Sequence, residues 1–208
     1  MPPRLLFLGH AYTNGARAEY YFPYLRAQGA EPVYRGLPDG GSEQRRLLDE
    51  AAEYDLVFLQ RRLLRSGALR RLRRRARRLV FDFDDPVGGR SSRHRVHRSR
   101  VRERRLRRTL AAADAAVVSN SYLQEQARAA APDLRMLVVP STCSGETFPA
   151  KRPYAGGGTV VVGWLGTAGT VRFLEPLAPV FASLQGGNGT RFVVRVVSSG
   201  FPELPGCL

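Results

Sequence analysis

Six short apolar runs set the pattern of the first 140 residues of this chain. They are rich in Val, Leu and Phe, and longer amphipathic or charged stretches separate them. Because their hydrophobicity is continuous and does not alternate, they indicate strands buried on both faces, as in a parallel sheet between two helical layers. The runs lie at residues 5–9, 31–35, 55–60, 79–83, 115–119 and 134–139, and helices are predicted over 17–28, 42–53, 66–78, 93–113 and 121–131. The sequence therefore predicts an α/β fold, with a doubly wound, Rossmann-like domain at residues 1–140.

The pattern changes after Pro140. Residues 141–158 contain Pro153 and three consecutive glycines, a composition that predicts an interdomain linker. A second βαβ unit follows, with strands predicted at 159–165 and 191–198 and a helix from 170 to about 185. Two strands are fewer than an independent sheet normally uses. We therefore expect residues 159–208 to be the beginning of a second Rossmann-like domain that is incomplete as given.

The net charge of +15 is concentrated in one part of the chain. Residues 61–108 contain 20 arginines and 4 acidic residues, and the remainder is close to neutral. Single-stranded nucleic acid is usually bound by basic residues interleaved with stacking aromatics, but residues 61–78 and 88–110 contain no Phe, Tyr or Trp. The basic segment is therefore interpreted as an anionic-membrane contact, a solvated helix face or a bias in composition, and nucleic acid is not favoured.

No apolar run approaches the roughly 20 residues of a membrane-spanning helix, and the amino terminus has no signal-peptide pattern. We expect a cytoplasmic protein, peripheral at the inner face of the membrane if the basic segment docks there. The two cysteines, Cys143 and Cys207, predict neither a disulfide framework nor a metal cluster.

Candidate site residues follow from the predicted sheet. In an open parallel α/β sheet, ligands bind beyond the carboxyl ends of the strands, where helix amino termini offer unpaired N–H groups. In the first domain this rule selects His10, Asn14, Gly15, Arg17, Gln60, Arg61, Asp82, Asp84, Asp85 and Asn120.

The densest chemistry is the acidic cluster of Asp82, Asp84 and Asp85. With the two-residue period of a strand, Asp82 and Asp84 share one face while Phe81 and Phe83 pack on the other. Neighbouring carboxylates at a buried strand end suit acid/base catalysis, hydroxyl binding or cation binding, although an acid there also serves to cap a turn. A D-x-D metal site of the GT-A glycosyltransferase type fits the oxygen chemistry, but the two-domain pattern does not favour it, so no metal is predicted.

A glycine turn opens the second unit. Gly166 lets the backbone approach a phosphate, and Thr167 or Thr170 can cap the following helix, although such a turn is often only a turn. His94 and His97 have helical metal-ligand spacing but lie among arginines that repel a cation, so we predict no metal site there.

Four stretches resemble, in order and spacing, a bacterial branch of the family 4 glycosyltransferases. They are residues 54–61 (YDLVFLQR), 79–85 (LVFDFDD), 113–123 (ADAAVVSNSYL) and 162–167 (VGWLGT). The resemblance implies a GT-B fold of two Rossmann-like domains, a nucleotide-sugar donor, and transfer with retention that requires no metal or other cofactor.

The resemblance also implies residue roles. Gly166 and Thr167 match positions that meet the donor diphosphate, and the loop from Asn14 to Arg17 matches one that meets acceptor or donor phosphate, without the usual paired glycines. Asp84 lies near the position where many relatives keep a histidine that touches the transferred sugar. The family's donor-sugar glutamates and a basic residue for the leaving diphosphate belong to a later part of the second domain, so we expect this chain alone to be inactive or nearly so.

The sequence therefore predicts one of two functions, which belong to different classes. The first is a glycosyltransferase that acts on a polysaccharide, lipid-linked or small-molecule acceptor. Its catalytic candidates are Asp82, Asp84 and Asp85, and Gly166, Thr167 and Thr170 are its donor-binding candidates. The alternative is an anion-binding module that docks on an acidic membrane or nucleic acid through the basic patch of residues 61–108.

Overall fold

The computed structural model describes residues 1–10, 16–90, 98–142, 159–187 and 191–200. The described residues form two compact units, the first within 1–142 and the second within 159–200. The first contains a six-stranded parallel sheet flanked by helices. The predicted α/β, Rossmann-like fold is thus confirmed.

The six strands of the first unit coincide closely with the predicted apolar runs. All neighbouring pairs are parallel, and the order is β2-β1-β3-β4-β5-β6. The chain first moves outward from β1 to the edge strand β2 and then crosses back to β3, so the direction of winding reverses between β1 and β3. The strands are β1 (Arg4–Gly9), β2 (Glu31–Gly36), β3 (Leu56–Gln60), β4 (Leu79–Phe83), β5 (Ala115–Val118) and β6 (Met136–Val138).

Six α-helices of the first unit are described, and one prediction among them is corrected. The helix predicted over 17–28 is two short helices, because Pro23 lacks an N–H and its ring would clash with the carbonyl of Glu19, where the first helix ends. The helices are α1 (Ala16–Glu19), α2 (Phe22–Ala27), α3 (Gly41–Glu50), α4 (Ser66–Arg75), α5 (Arg100–Ala112) and α6 (Ser121–Ala130).

The reversal of winding places helices on both faces of the sheet. Crossovers between parallel strands are right-handed, so a connection to the left and one to the right cover opposite faces. Helices α1 and α2 pack on one face, where the rings of Phe7 and Phe58 stack at 4.3 Å and Phe22 leans on Phe7 at 5.1 Å. Helices α3 to α6 cover the other face and bury the larger core, which includes Leu6, Leu59, Phe81, Phe83, Leu110 and Leu123.

The second unit contains two parallel strands, β7 (Val160–Leu165) and β8 (Phe192–Val197). The single helix predicted from residue 170 is wrong at its beginning. Residues 171–173 and 175–177 form 3-10 turns, and α7 (Ala178–Gly187) follows. Pro176 and Pro179 explain the difference, because neither can donate the backbone hydrogen bond of a continuous α-helix.

Several predicted features lie outside the described residues. These are residues 143–158 of the predicted linker, Cys143, Cys207, His94, His97, Asn14 and Gly15. Within the ranges that the structure does describe, no helix combines the length and apolarity needed to cross a membrane.

Gly9 provides a test of the packing at the end of β1. A Cβ atom there would overlap the Tyr34 hydroxyl and lie 2.8 Å from Tyr34 Cζ, and that hydroxyl donates a hydrogen bond of 3.0 Å to the His10 carbonyl. Gly9→Ala should therefore lower the free energy of unfolding by about 1–3 kcal/mol, measured by urea denaturation. Gly67→Ala is the control, because its new Cβ meets no atom within 4 Å and a helical alanine should be neutral or stabilise by up to about 1 kcal/mol. Equal stabilities of the two variants would contradict the packing described.

Candidate functional site

A cleft of about 230 Å³ lies in the first unit, at the carboxyl ends of its strands. Strand order reverses beside it, between β1 and β3, and such switch points are where open α/β sheets form ligand crevices. Its lining comes from α1, from the ends of β3 and β4, and from the chain after β6. The lining residues are Arg17, Tyr20, Gln60, Arg61, Asp84, Ser141 and Thr142.

A buried ion pair forms the base of this region. Nη2 of Arg17 lies 3.0 Å from Oδ1 of Asp82, and Nε of Arg17 is 3.1 and 3.2 Å from the two carboxylate oxygens. The two side chains are only 7% and 8% exposed. Gln60 Nε2 donates a further hydrogen bond of 3.0 Å to Asp82 Oδ2. Both oxygens of Asp82 therefore have protein donors.

Burial raises the pKa of Asp82 above its usual range, with a smaller contribution from the neighbouring Asp84 carboxylate. Arg17 and Gln60 oppose this rise by stabilising the charged form. Because the direction is upward, this carboxylate resists ionisation more in the folded than in the unfolded chain. The ion pair with Arg17 lowers the free-energy cost of burying this charge.

Arg17 also holds the chain that follows β6. Its Nη2 donates to the Val139 carbonyl at 2.9 Å and its Nη1 to Ser141 Oγ at 2.8 Å. Tyr21 adds a hydrogen bond of 2.6 Å from its hydroxyl to the Pro140 carbonyl. One guanidinium thus connects α1, the end of β4 and the segment at 139–141.

Arg61 adopts a conformation that is uncommon for a residue with a side chain. Its φ is 57°, in the left-handed region, and its N–H donates to the Asp82 carbonyl at 2.8 Å. The side chain forms ion pairs with both following acids: Nε lies 3.1 Å from Asp84 Oδ1, and Nη2 contacts Asp85 Oδ2. Such backbone conformations concentrate at functional sites.

Asp84 offers an acceptor to the cleft. Its Oδ1 is buried and makes no hydrogen bond with the described residues, because the nearby Arg61 N–H is not aligned with it. The backbone carbonyl of Asp84 accepts a bond of 3.3 Å from Ser119 Oγ, which fixes the turn. Oδ1 itself is closed to solvent and lies against Arg61, so a ligand hydroxyl would meet the part of the Asp84 side chain that lines the cleft, which is 20% exposed.

His10 lies beside a buried arginine at the end of β1. Arg62, which is 7% exposed, contacts His10 Nδ1 at 3.0 Å and pairs with Asp39 at 2.6 Å. Since a guanidinium only donates, Nδ1 is the acceptor and the neutral ring carries its proton on Nε2. Burial lowers the pKa of His10, and the charges of Arg62 and Arg61 lower it further.

The remaining predicted residues do not line this cleft. Asn120 caps α6, since its Oδ1 accepts from the Leu123 N–H at 2.9 Å. In the second unit, Thr170 Oγ accepts from the Thr167 N–H at 3.2 Å and donates to the Thr167 carbonyl at 3.0 Å. A Cβ atom at Gly166 would lie 2.6 Å from Trp164 Cζ2 and 2.9 Å from Thr170 Oγ, so any other residue there would have to displace these side chains.

The structure thus brings four predicted residues, Arg17, Gln60, Arg61 and Asp84, to one cleft. Asp82 lies behind them, and Asp85 contacts Arg61 from a more exposed position. Among the described residues, no group of three or more His, Cys, Asp or Glu side chains is arranged to hold a metal ion. The catalytic and binding roles of all these residues stay predictions.

Three lining residues were not predicted. Ser141 and Thr142 were assigned to a linker, although they follow β6 at the same edge of the sheet, and the strand-end rule would have selected them. Tyr20 follows the short helix α1 and carries no sequence signal for the cleft.

Comparison with known proteins adds no assignment. A scan against protein-family models gives no match, and a search of curated proteins gives none either. The resemblance to family 4 glycosyltransferases therefore stays a prediction.

The ion pair between Arg17 and Asp82 is tested by a double-mutant cycle. Arg17→Met leaves a buried carboxylate without its cation and should destabilise the protein by about 3–5 kcal/mol. Combining Arg17→Met with Asp82→Asn should cost less than the sum of the single changes, with a coupling of about 0.5–3 kcal/mol in urea unfolding.

The exposed pair Glu43 and Arg46, separated by 2.7 Å, is the matched control. The same cycle there should give a coupling close to zero, because solvent screens both charges. Additive effects at Arg17 and Asp82 would contradict the buried pair.

His10 predicts a pH dependence. Because its pKa is lower in the folded than in the unfolded chain, the unfolded chain binds the proton first, and stability should fall as pH decreases from about 6.5 through the folded pKa. His10→Asn should flatten this part of the curve, measured as the urea midpoint between about pH 8 and 5. An unchanged slope in the variant would show that His10 does not cause it.

Proposed function

We propose that this chain carries the acceptor-side domain and part of the donor-side domain of a retaining glycosyltransferase of the GT-B type. It uses a nucleotide-sugar donor and a polysaccharide, lipid-linked or small-molecule acceptor. Support comes from the ordered stretches that resemble family 4, from the Rossmann-like fold, and from a polar cleft at the switch point of the sheet.

The composition of the cleft is the observation that carries the proposal. Arg61, which is 32% exposed, supplies guanidinium donors that suit phosphate oxygens, and Arg17, whose donors hold Asp82, Val139 and Ser141, adds positive charge behind it. The Asp84 carboxylate, which lines the cleft and is 20% exposed, supplies an acceptor, and Gln60, Ser141 and Thr142 can both donate and accept. A phosphorylated sugar or nucleotide-sugar presents both kinds of partner, anionic oxygens and hydroxyl groups, in one small molecule.

The contacts suggest a division of roles among the acids. Asp84, whose side chain is partly exposed in the cleft, is the residue that binds or activates a sugar hydroxyl. Asp82 is satisfied by Arg17 and Gln60 and acts as a positioning residue for both. Asp85 orients Arg61, whose guanidinium then contacts a phosphate.

The turn of the second unit is assigned to the donor. Gly166 keeps the backbone open, and the Thr167 and Thr170 hydroxyls, which lie 3.4 Å apart, hold the turn in shape. The Gly166 and Thr167 N–H groups already donate to the Val197 carbonyl at 3.1 Å and to Thr170 Oγ at 3.2 Å, so we propose that the Thr167 hydroxyl contacts the donor diphosphate. In this reaction class, electrostatic stabilisation of the leaving diphosphate supplies the largest part of catalysis. The proposed reaction requires no metal or cofactor.

Equilibrium binding tests the proposal. The full chain is titrated by calorimetry with a panel of nucleotide-sugars and sugar phosphates, with inorganic phosphate and unphosphorylated sugars as references. We expect at least one member of the panel to bind more tightly than either reference. Asp84→Asn and Arg61→Met should each weaken that binding at least tenfold, because each removes a charged hydrogen-bond partner worth about 1.5–3 kcal/mol.

Asp133→Asn is the matched control, since this exposed acid lies between α6 and β6, at the opposite edge of the sheet. It should leave binding unchanged, and thermal melting of each variant checks the fold. The proposal fails if no member of the panel binds, or if the Asp84 and Arg61 variants bind as tightly as the control.

A further inference from the structure

The second candidate site is a groove between α4 and α5, separate from the cleft. Both helices pack on the same face of the sheet, through Leu69 and Leu72 of α4 and Leu110 of α5. Residues 65–78 contain eight arginines and no acid, and residues 98–110 contain seven arginines and one acid. The outer surfaces of two adjacent helices are therefore strongly basic.

Only some of these arginines are neutralised by acids of the protein. Asp49 pairs with Arg71 and Arg75, and Asp114 pairs with Arg73. Six exposed arginines of the two helices have no ion pair with any described residue: Arg70 and Arg74 on α4, and Arg100, Arg104, Arg107 and Arg108 on α5. Their charges contribute little to the fold and are available to an external anion.

The groove has a volume of about 430 Å³ and combines charged and apolar surface. Arg70 and Arg108 supply the unpaired charge, while Arg73 also lines the groove but is paired with Asp114. Nη1 of Arg108 is held by a hydrogen bond of 2.7 Å to Ser66 Oγ. The apolar part of the lining consists of Leu69, Ala111 and Ala112. A ligand that fits this surface has an anionic group joined to an apolar one.

We propose that this groove binds the phosphate of an anionic phospholipid and docks the α4–α5 face on a membrane surface. Guanidinium groups match phosphate oxygens, and the alanine and leucine surface suits the glycerol and acyl-ester part of the lipid. A free phosphate would make no use of the apolar lining. This inference does not depend on the proposed sugar-binding cleft.

Nucleic acid is the competing anionic partner. The described parts of the two helices carry no Phe, Tyr or Trp, so they offer no stacking platform for unpaired bases. A duplex phosphate backbone needs no stacking, and the experiment therefore includes it as a competitor.

Vesicle sedimentation of the full chain tests the docking surface. At about 0.1 M salt, we expect binding to vesicles that contain phosphatidylglycerol and not to vesicles of phosphatidylcholine alone. Arg70→Gln/Arg108→Gln should weaken binding at least tenfold, since each arginine at an anionic surface contributes about fivefold. Ala111→Glu should weaken it as well, because it adds a negative charge at an exposed position of the groove.

Arg26→Gln/Arg135→Gln is the matched control, which removes the same charge from exposed positions on α2 and before β6. It should bind nearly as the parent does, and melting temperatures check that all variants fold. Equal losses in the two double variants, or equal binding to neutral vesicles, would overturn the proposal. The full chain is also competed off labelled anionic vesicles with duplex RNA or DNA and, separately, with unlabelled phosphatidylglycerol vesicles. Release by the duplex at a lower phosphate concentration than the unlabelled vesicles require would overturn the proposal and identify nucleic acid as the partner. The vesicle experiment does not measure sugar binding, so its result is independent of the calorimetric titration of the cleft.

Discussion

The buried contact between Arg17 and Asp82 is the interaction on which the candidate site depends. It joins α1 to the end of β4, and through further donors of the same guanidinium it reaches Val139 and Ser141. Charges this deeply buried are stable only when paired and hydrogen-bonded, so α1, the end of β4 and the segment at 139–141 are held in one arrangement. Because Asp82 is fully occupied by these contacts, the acceptor available to a ligand is the neighbouring Asp84. The pairing of Arg17 with Asp82 therefore determines which acid is left to interact with a ligand in the cleft.

The handedness of the crossovers decides where this site and the basic helices lie. Reversal of winding between β1 and β3 places α1 on one face, where Arg17 meets Asp82, and α4 and α5 on the other. The polar cleft forms at the strand ends, and the unneutralised arginines gather on the outer surface of the larger helical layer. The two candidate sites, one for small polar ligands and one for an anionic surface, therefore lie in different parts of the first unit and are lined by different charged side chains.

Local sequence signals predicted most of the fold. Continuous apolar runs gave the strand positions to within two residues, and the period of a strand correctly placed Phe81 and Phe83 on the core face opposite Asp82. Two predicted helices were wrong because a proline disrupts the helix at the residue four positions before it. Pro23 does so at Glu19, and Pro176 does so at Arg172. The strand-end rule found Arg17, Gln60, Arg61 and Asp84. It missed Ser141 and Thr142, because their composition resembled that of a linker.

The sequence by itself determined the parallel α/β architecture, the edge of the sheet at which polar residues gather, and the segment that carries the net charge. These depend on periodicity and composition, which are local properties. Only the tertiary structure decided that Arg17 pairs with an acid 65 residues away, that Arg61 turns through a left-handed conformation toward Asp84 and Asp85, and which arginines keep no acidic partner. Such choices depend on the three-dimensional distances between charges and on burial, and both are set by packing between elements far apart in the chain.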